Sequence, residues 1–177
     1  MKDYIKQAHQ TMAPSIHPER VHLGNVVQCL SELIIWTQNL DTIKKGLFYN
    51  RAHKELEPED NNINTASYNL VLQNLSNDHY QAVAILHGII GKITEAGELA
   101  EALVDVIKHP KKLDIINVRE EVGDGLWYDA ILLNAIGSDF NDAMEVNINK
   151  LRARFPNRFT EYDALNRNLK NERSQLE

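Results

Sequence analysis

Apolar residues recur along this chain at steps of three and four and almost nowhere in strict alternation, the pattern of amphipathic helices rather than strands. Over residues 18–38, Val21, Leu23, Val26, Val27, Leu30, Leu33, Ile34 and Ile35 keep close to a helical period, and residues 41–51 continue as a shorter amphipathic piece. Residues 57–64 are polar and turn-prone, which predicts a loop, and a helix follows over 66–75. The longest predicted helix starts near Asp78 and runs to about Lys108, where His109-Pro110 ends it. Asp114 is the expected N-cap of the next helix, which reaches about Ile136 and stops at Gly137. Ser138 is placed to cap a further helix over 139–153, ended by Pro156. The tail, 161–177, carries Tyr162, Leu165, Leu169 and Leu176 on one side among many charges, which predicts an amphipathic helix lying on a surface.

These elements predict an all-α fold: one helical domain over 1–177, built on antiparallel helices packed as a four-helix bundle. Its candidate core is 78–160, with a helical N-terminal extension over 1–64 and the amphipathic tail over 161–177. Residues 22–51 loosely echo 87–112, but the first stretch has only Glu32 where the second has paired acids, so the echo reads as coincidence between amphipathic helices. Apolar residues at Ala130, Ile131, Leu132 and Leu133 leave one helix hydrophobic on more than one face, a hint of self-assembly.

Composition narrows the function classes. A hydrophobic fraction of 43% and a charged fraction of 25% are ordinary for a globular protein. The net charge of -6 and the lack of a basic stripe argue against a nucleic-acid partner. The single cysteine, Cys29, cannot form an internal disulfide, which fits a reducing compartment. No apolar run has membrane-spanning length and no signal core follows Met1, so a cytoplasmic location is expected.

Candidate chemistry sits in two acidic signatures, Glu95-Ala96-Gly97-Glu98 and Glu121-Val122-Gly123-Asp124, separated by 22 residues on consecutive predicted helices. A spacing of three puts both carboxylates of a pair on one helix face. Antiparallel packing would gather four anionic donors around one point, where a hard divalent ion such as Mg²⁺ is the natural counter-charge. An isolated pair of this kind is usually a solvated face. Here each pair encloses a glycine, a costly residue inside a helix, which suggests a packing need at Gly97 and Gly123, and each borders a strongly apolar stripe. On the third helix Asn147, Lys150 and Arg154 share a face at steps of three and four, a set suited to phosphate oxygens. Together they imply a metal-dependent reaction on a phosphate-bearing compound.

The run Glu-Ala-Gly-Glu-Leu, then Glu-Glu-Val-Gly-Asp-Gly-Leu-Trp-Tyr, then Asn147-Ile-Asn-Lys-Leu-Arg-Ala-Arg-Phe-Pro resembles the MazG-like all-α nucleoside triphosphate pyrophosphohydrolases over residues 84–160. The resemblance implies that Glu95, Glu98, Glu121 and Asp124 hold Mg²⁺, with Mn²⁺ as a substitute, and that Asn147 and Lys150, with Arg154 in addition, meet the triphosphate. It implies cleavage of a (deoxy)nucleoside triphosphate between the α- and β-phosphates, giving a monophosphate and pyrophosphate, and assembly as a homodimer or homotetramer. No covalent nucleophile is needed, and Glu98 is the expected general base because Glu101 lies one turn on and could partly replace it as a ligand. The related phosphoribosyl-ATP pyrophosphohydrolases, and a non-catalytic helical assembly protein with a structural cation, are the alternatives.

Several side chains carry both a site reading and a packing reading. Trp127 and Tyr128 follow Asp124 by three and four and could stack on a base. His87 shares the stripe of Gly91, Glu95 and Glu98 and could touch the nucleotide. Lys108, Lys111 and Lys112 could reach phosphates or be solvated helix-end charge, and the same holds for Lys44, Lys45 and Arg51.

Overall fold

Local chemistry decides where most helices begin. The chain was analysed as a computed structural model that describes residues 2–51 and 65–176. Eight helices are found there: α1 (Lys2–Gln10), α2 (Leu23–Tyr49), α3 (Thr65–Leu75), α4 (His79–Lys108), α5 (Ile115–Ala135), α6 (Phe140–Arg154), α7 (Glu161–Leu165) and α8 (Leu169–Arg173). The all-α expectation holds, and the described residues include no strand. Asp78 caps α4 by accepting from the Gln81 N–H at 2.8 Å. Asp114 caps α5 by accepting from the Ile116 and Asn117 N–H groups at 2.9 and 3.2 Å. Each carboxylate satisfies donors that a helix start leaves unpaired. No described helix is long and apolar enough to cross a membrane.

Four boundaries differ from the sequence reading. The stretch taken as two pieces over 18–51 is one 27-residue helix, because no glycine or proline interrupts it between Gly24 and Gly46 and Asp41 pairs with Lys44 and Lys45 along the helix. It ends at Asn50, whose φ of 51° lies in the left-handed region and whose N–H bonds back to Lys45 O. The cap of α6 is Asp139, which accepts from Asn141 and Asp142 N–H at 2.7 and 3.0 Å, while Ser138 donates to the Asp142 carboxylate at 2.6 Å. The tail is two short helices, α7 and α8, separately capped by Thr160 and Asn168. Helix α1 lies within the helical extension expected over 1–64, though its own bounds were not delineated. The loop expected over 57–64 lies outside the described residues.

The chain divides into two compact units, residues 21–137 and residues 1–20 with 138–177. In the first, α4 packs on α5 and α2, and the shorter α3 packs on α4. The pairing of Lys108 with Ser31, Gln38 with Glu101 and Tyr49 with His87 runs α2 antiparallel to α4. In the second, α6 packs on α1 and α8, so the last helix of the core expected over 78–160 belongs to this unit. Glu172 is buried there and accepts paired hydrogen bonds from both Arg154 and Arg167. These guanidinium contacts, which outweigh its burial, hold the Glu172 carboxyl down at about 2.

Glycines set the close approach of α4 to its neighbours. A Cβ on Gly97 would stand 2.0 Å from Thr37 Oγ1 and 2.5 Å from Thr37 Cβ on α2, and one on Gly91 would stand 2.0 Å from the Tyr128 ring on α5. Gly123 meets nothing within 4 Å, so the packing reason inferred from the sequence applies to Gly97 and not to Gly123. Gly97→Ala is expected to destabilise the protein by about 1–3 kcal/mol through overpacking, whereas Gly123→Ala is expected to stabilise it by up to about 1 kcal/mol through helix propensity. Urea unfolding of both variants reads the contrast, and equal effects would show that α2 does not press on α4.

Candidate metal centre

The two acidic signatures meet because α4 and α5 run antiparallel through a short connection, residues 109–114. Carboxylate oxygens of Glu95, Glu98 and Glu121 lie within 4.8 Å of one another. Glu95 and Glu121 are buried, at 7% and 6% exposure, while Glu98 is open to solvent. Asp124 is exposed and lies outside this group, so the structure gathers three of the four expected acids.

Within the cluster, Glu98 and Glu121 resist ionisation. Burial, followed by the charge of Glu98 and a hydrogen bond with it, pushes Glu121 up to about 7. Burial and the charge of Glu95 push Glu98 above the ordinary glutamate range, against the opposing hydrogen bond with Glu121. A proton shared between Glu98 and Glu121 relieves part of the repulsion; a hard divalent cation, bound by oxygen donors of this kind, relieves it more fully.

Helix α2 supplies the cationic counterpart. Lys44 is 5% exposed, and its Nζ donates to Thr94 Oγ1 at 2.8 Å, lies 3.1 Å from Asp41 Oδ1 and 3.5 Å from Glu95 Oε1, and sits 5.3 Å above the Tyr128 ring. Burial opposes its charge, but hydrogen bonds with Asp41 and Tyr128 win and keep its pKa above the usual lysine value. Asp41 is likewise held below the usual carboxylate range, its burial outweighed by Lys45 and Lys44.

Two cavities meet at Glu98 and Glu101. One, of about 400 Å³, is lined by Glu98, Glu101, Asp105, Lys111, Lys112 and Glu121, among others. The other, of about 320 Å³, opens toward α2 beside Thr37, Gln38, Asp41 and Thr94. Lys111 pairs with Asp105 at the first cavity, and Lys112 lines it with no ion pair among the described residues. Lys108 instead reaches Ser31 Oγ at 3.4 Å.

The remaining candidates are dispersed. His87 stacks on Phe48 at 4.0 Å between ring centroids, and edges of Tyr49, Trp127 and Tyr128 surround it. Burial, then the Lys44 charge, lowers its pKa. Tyr128 is 5% exposed, with burial first and then a hydrogen bond with Tyr49 pushing its pKa to about 12, whereas Trp127 is 53% exposed. Asn147, Lys150 and Arg154 lie on α6 in the other unit. There Tyr4 Oη donates to Asn147 Oδ1 at 3.4 Å and Arg154 is engaged by Glu172. The sequence reading missed Asp41 and Thr94, and gave Lys44 a different role. The signal available was a charged i,i+3 pair, Asp41 and Lys44, in α2.

The sequence profile described as the MazG nucleotide pyrophosphohydrolase domain matches residues 89–159. Comparison with curated proteins and with solved structures finds no match.

The raised Glu121 carboxyl makes the metal-free fold pH-sensitive. Its folded pKa, about 7, lies above the ordinary 4.5, so the stability it lends is complete below the ordinary value and is lost as pH rises through 7. The metal-free melting temperature is therefore expected to fall across that window in the wild type and to fall less in Glu121→Gln. Scanning calorimetry at several pH values checks this; parallel profiles for the two proteins would remove the repulsion argument.

Proposed function

We propose, from the match of residues 89–159 to the MazG nucleotide pyrophosphohydrolase domain, that this chain is a MazG-like, Mg²⁺-dependent hydrolase converting a (deoxy)nucleoside triphosphate to the monophosphate and pyrophosphate. The observation that carries this reading is the convergence of Glu95, Glu98 and Glu121 within 4.8 Å on antiparallel helices. These residues fit a hard cation, being an oxygen-only donor set of three clustered carboxylates. Mn²⁺ is a substitute for Mg²⁺ at such a donor set. Asp124, exposed one turn beyond Glu121 on α5, is assigned as the ligand recruited when the ion binds.

Bound Mg²⁺ would supply charge neutralisation on the phosphates and a more acidic water. The chain's own residues do the rest. Glu98, solvent-open at the junction of the two cavities, accepts the proton of the attacking water. The water oxygen bonds to the α-phosphorus, the bond from that phosphorus to the bridging oxygen breaks, and pyrophosphate leaves with the electron pair. Lys111 and Lys112, at the cavity wall, lie where polyphosphate charge can be met. Asn147 and Lys150 are assigned to the triphosphate on the motif pattern alone, and Arg154 is set aside because Glu172 holds it.

Exposed apolar side chains on α2, α4 and α5, among them Trp36, Ile93, Leu126 and Trp127, support a second copy of the chain as partner. A lone cysteine supports a reducing, cytoplasmic setting.

Purified protein with Mg²⁺ is expected to release pyrophosphate from at least one member of a panel of canonical and modified nucleoside triphosphates that includes phosphoribosyl-ATP. Glu98→Gln and Asp124→Asn are expected to lower that rate by about two orders of magnitude, the scale of losing one charge-stabilising contact. Absence of release across the panel, or full activity in both variants, would reject the enzyme reading and leave a structural cation site.

A further inference from the structure

We propose that Lys44 and Thr94 act as a positioning pair that fixes the Glu95 carboxylate for the cation, a role that rests on the metal reading above. Glu95 Oε1 is the oxygen both residues address: Lys44 Nζ stands 3.5 Å away and the Thr94 hydroxyl 3.2 Å away. The carboxylate so held is the one that gathers with those of Glu98 and Glu121, within 4.8 Å of both.

The pair is itself held rigidly. Lys44 donates to Thr94 Oγ1 at 2.8 Å, and the single Thr94 proton is shared between Gly91 O at 2.8 Å and Glu95 Oε1. Asp41, 3.1 Å from Lys44 Nζ, anchors the ammonium from its own helix. Both residues are buried, Lys44 at 5% and Thr94 at 2% exposure, so neither is a solvated charge resting on the surface. Contacts that lie behind a ligand orient it and tune its affinity; their loss typically weakens metal binding about 10–100-fold.

Electrostatics and positioning predict opposite signs, which makes the role testable. Deleting a positive charge beside three acids should tighten cation binding if Lys44 were only a counter-charge. If it positions Glu95, the same deletion should weaken binding. The probe is Mn²⁺ alone, titrated into the full chain and read by electron paramagnetic resonance, with circular dichroism reporting the fold.

Lys44→Met is expected to raise the Mn²⁺ dissociation constant about 10-fold or more. Thr94→Val, which keeps every charge, is expected to weaken binding in the same direction, and Thr94→Ser to restore it. This hydroxyl test stands on its own where Lys44→Met does not fold. Unchanged or tighter Mn²⁺ binding in folded Lys44→Met, or Thr94→Val binding as Thr94→Ser does, overturns the positioning role and leaves the metal reading intact. A wild-type protein that binds no Mn²⁺ overturns both.

Discussion

Holding like charges together is the constraint around which the first unit is arranged. At 4.8 Å, two unit charges repel by roughly 3 kcal/mol at an effective dielectric of about 20, before the solvent at Glu98 screens them. Three carboxylates at that spacing need compensation, and the fold provides it in three ways: raised pKa values at the hydrogen-bonded Glu98 and Glu121, the Lys44 ammonium beside Glu95, and an oxygen-lined position that a divalent cation fits. Lys44 lies within ion-pair reach of Glu95 and Asp41 and acts on Glu98 only as a weaker, more distant charge.

That arrangement depends on how near the helices come. Gly97 lets α2 press Thr37 against α4, and Gly91 lets the Tyr128 ring of α5 lie against the same helix. Thr94 and Glu95 lie along α4 between these two contact points, where α2 and α5 both press on it. A larger side chain at either glycine would push one helix outward and take with it Lys44 or Glu121. The glycines therefore act on the charges through backbone distance.

The sequence revealed the part of this that is local. The i,i+3 spacing of Glu95 with Glu98 and of Glu121 with Asp124, the caps Asp78 and Asp114, and the stop at His109-Pro110 all follow from neighbours along one helix. The contribution of α2 does not, since Lys44 and Glu95 are separated by 51 positions and meet only when two long helices align. The same limit separates Gly97 from Gly123: both interrupt an acidic pair, yet only the former has a neighbour where its Cβ would be. Ser138 and Asp139 were both able to cap α6. The carboxylate prevails because it reaches two backbone donors while the serine hydroxyl donates to Asp142. Asp124 has the right spacing but an exposed side chain outside the cluster, an outcome that spacing leaves open.

The aromatic residues show the same division between periodicity and packing. Trp127 and Tyr128 are adjacent, so α5 turns them about 100° apart, and although both edge onto His87 they differ sharply in burial. Tyr128 faces α4, where Gly91 makes room and Lys44 lies over its ring; its phenol stays protonated because burial and the Tyr49 contact oppose ionisation. Trp127 is left half in solvent against the edge of His87. The buried tyrosine thereby belongs to the framework that holds the ammonium, and the exposed tryptophan is the member of the pair with a face available for a planar ligand or a second chain.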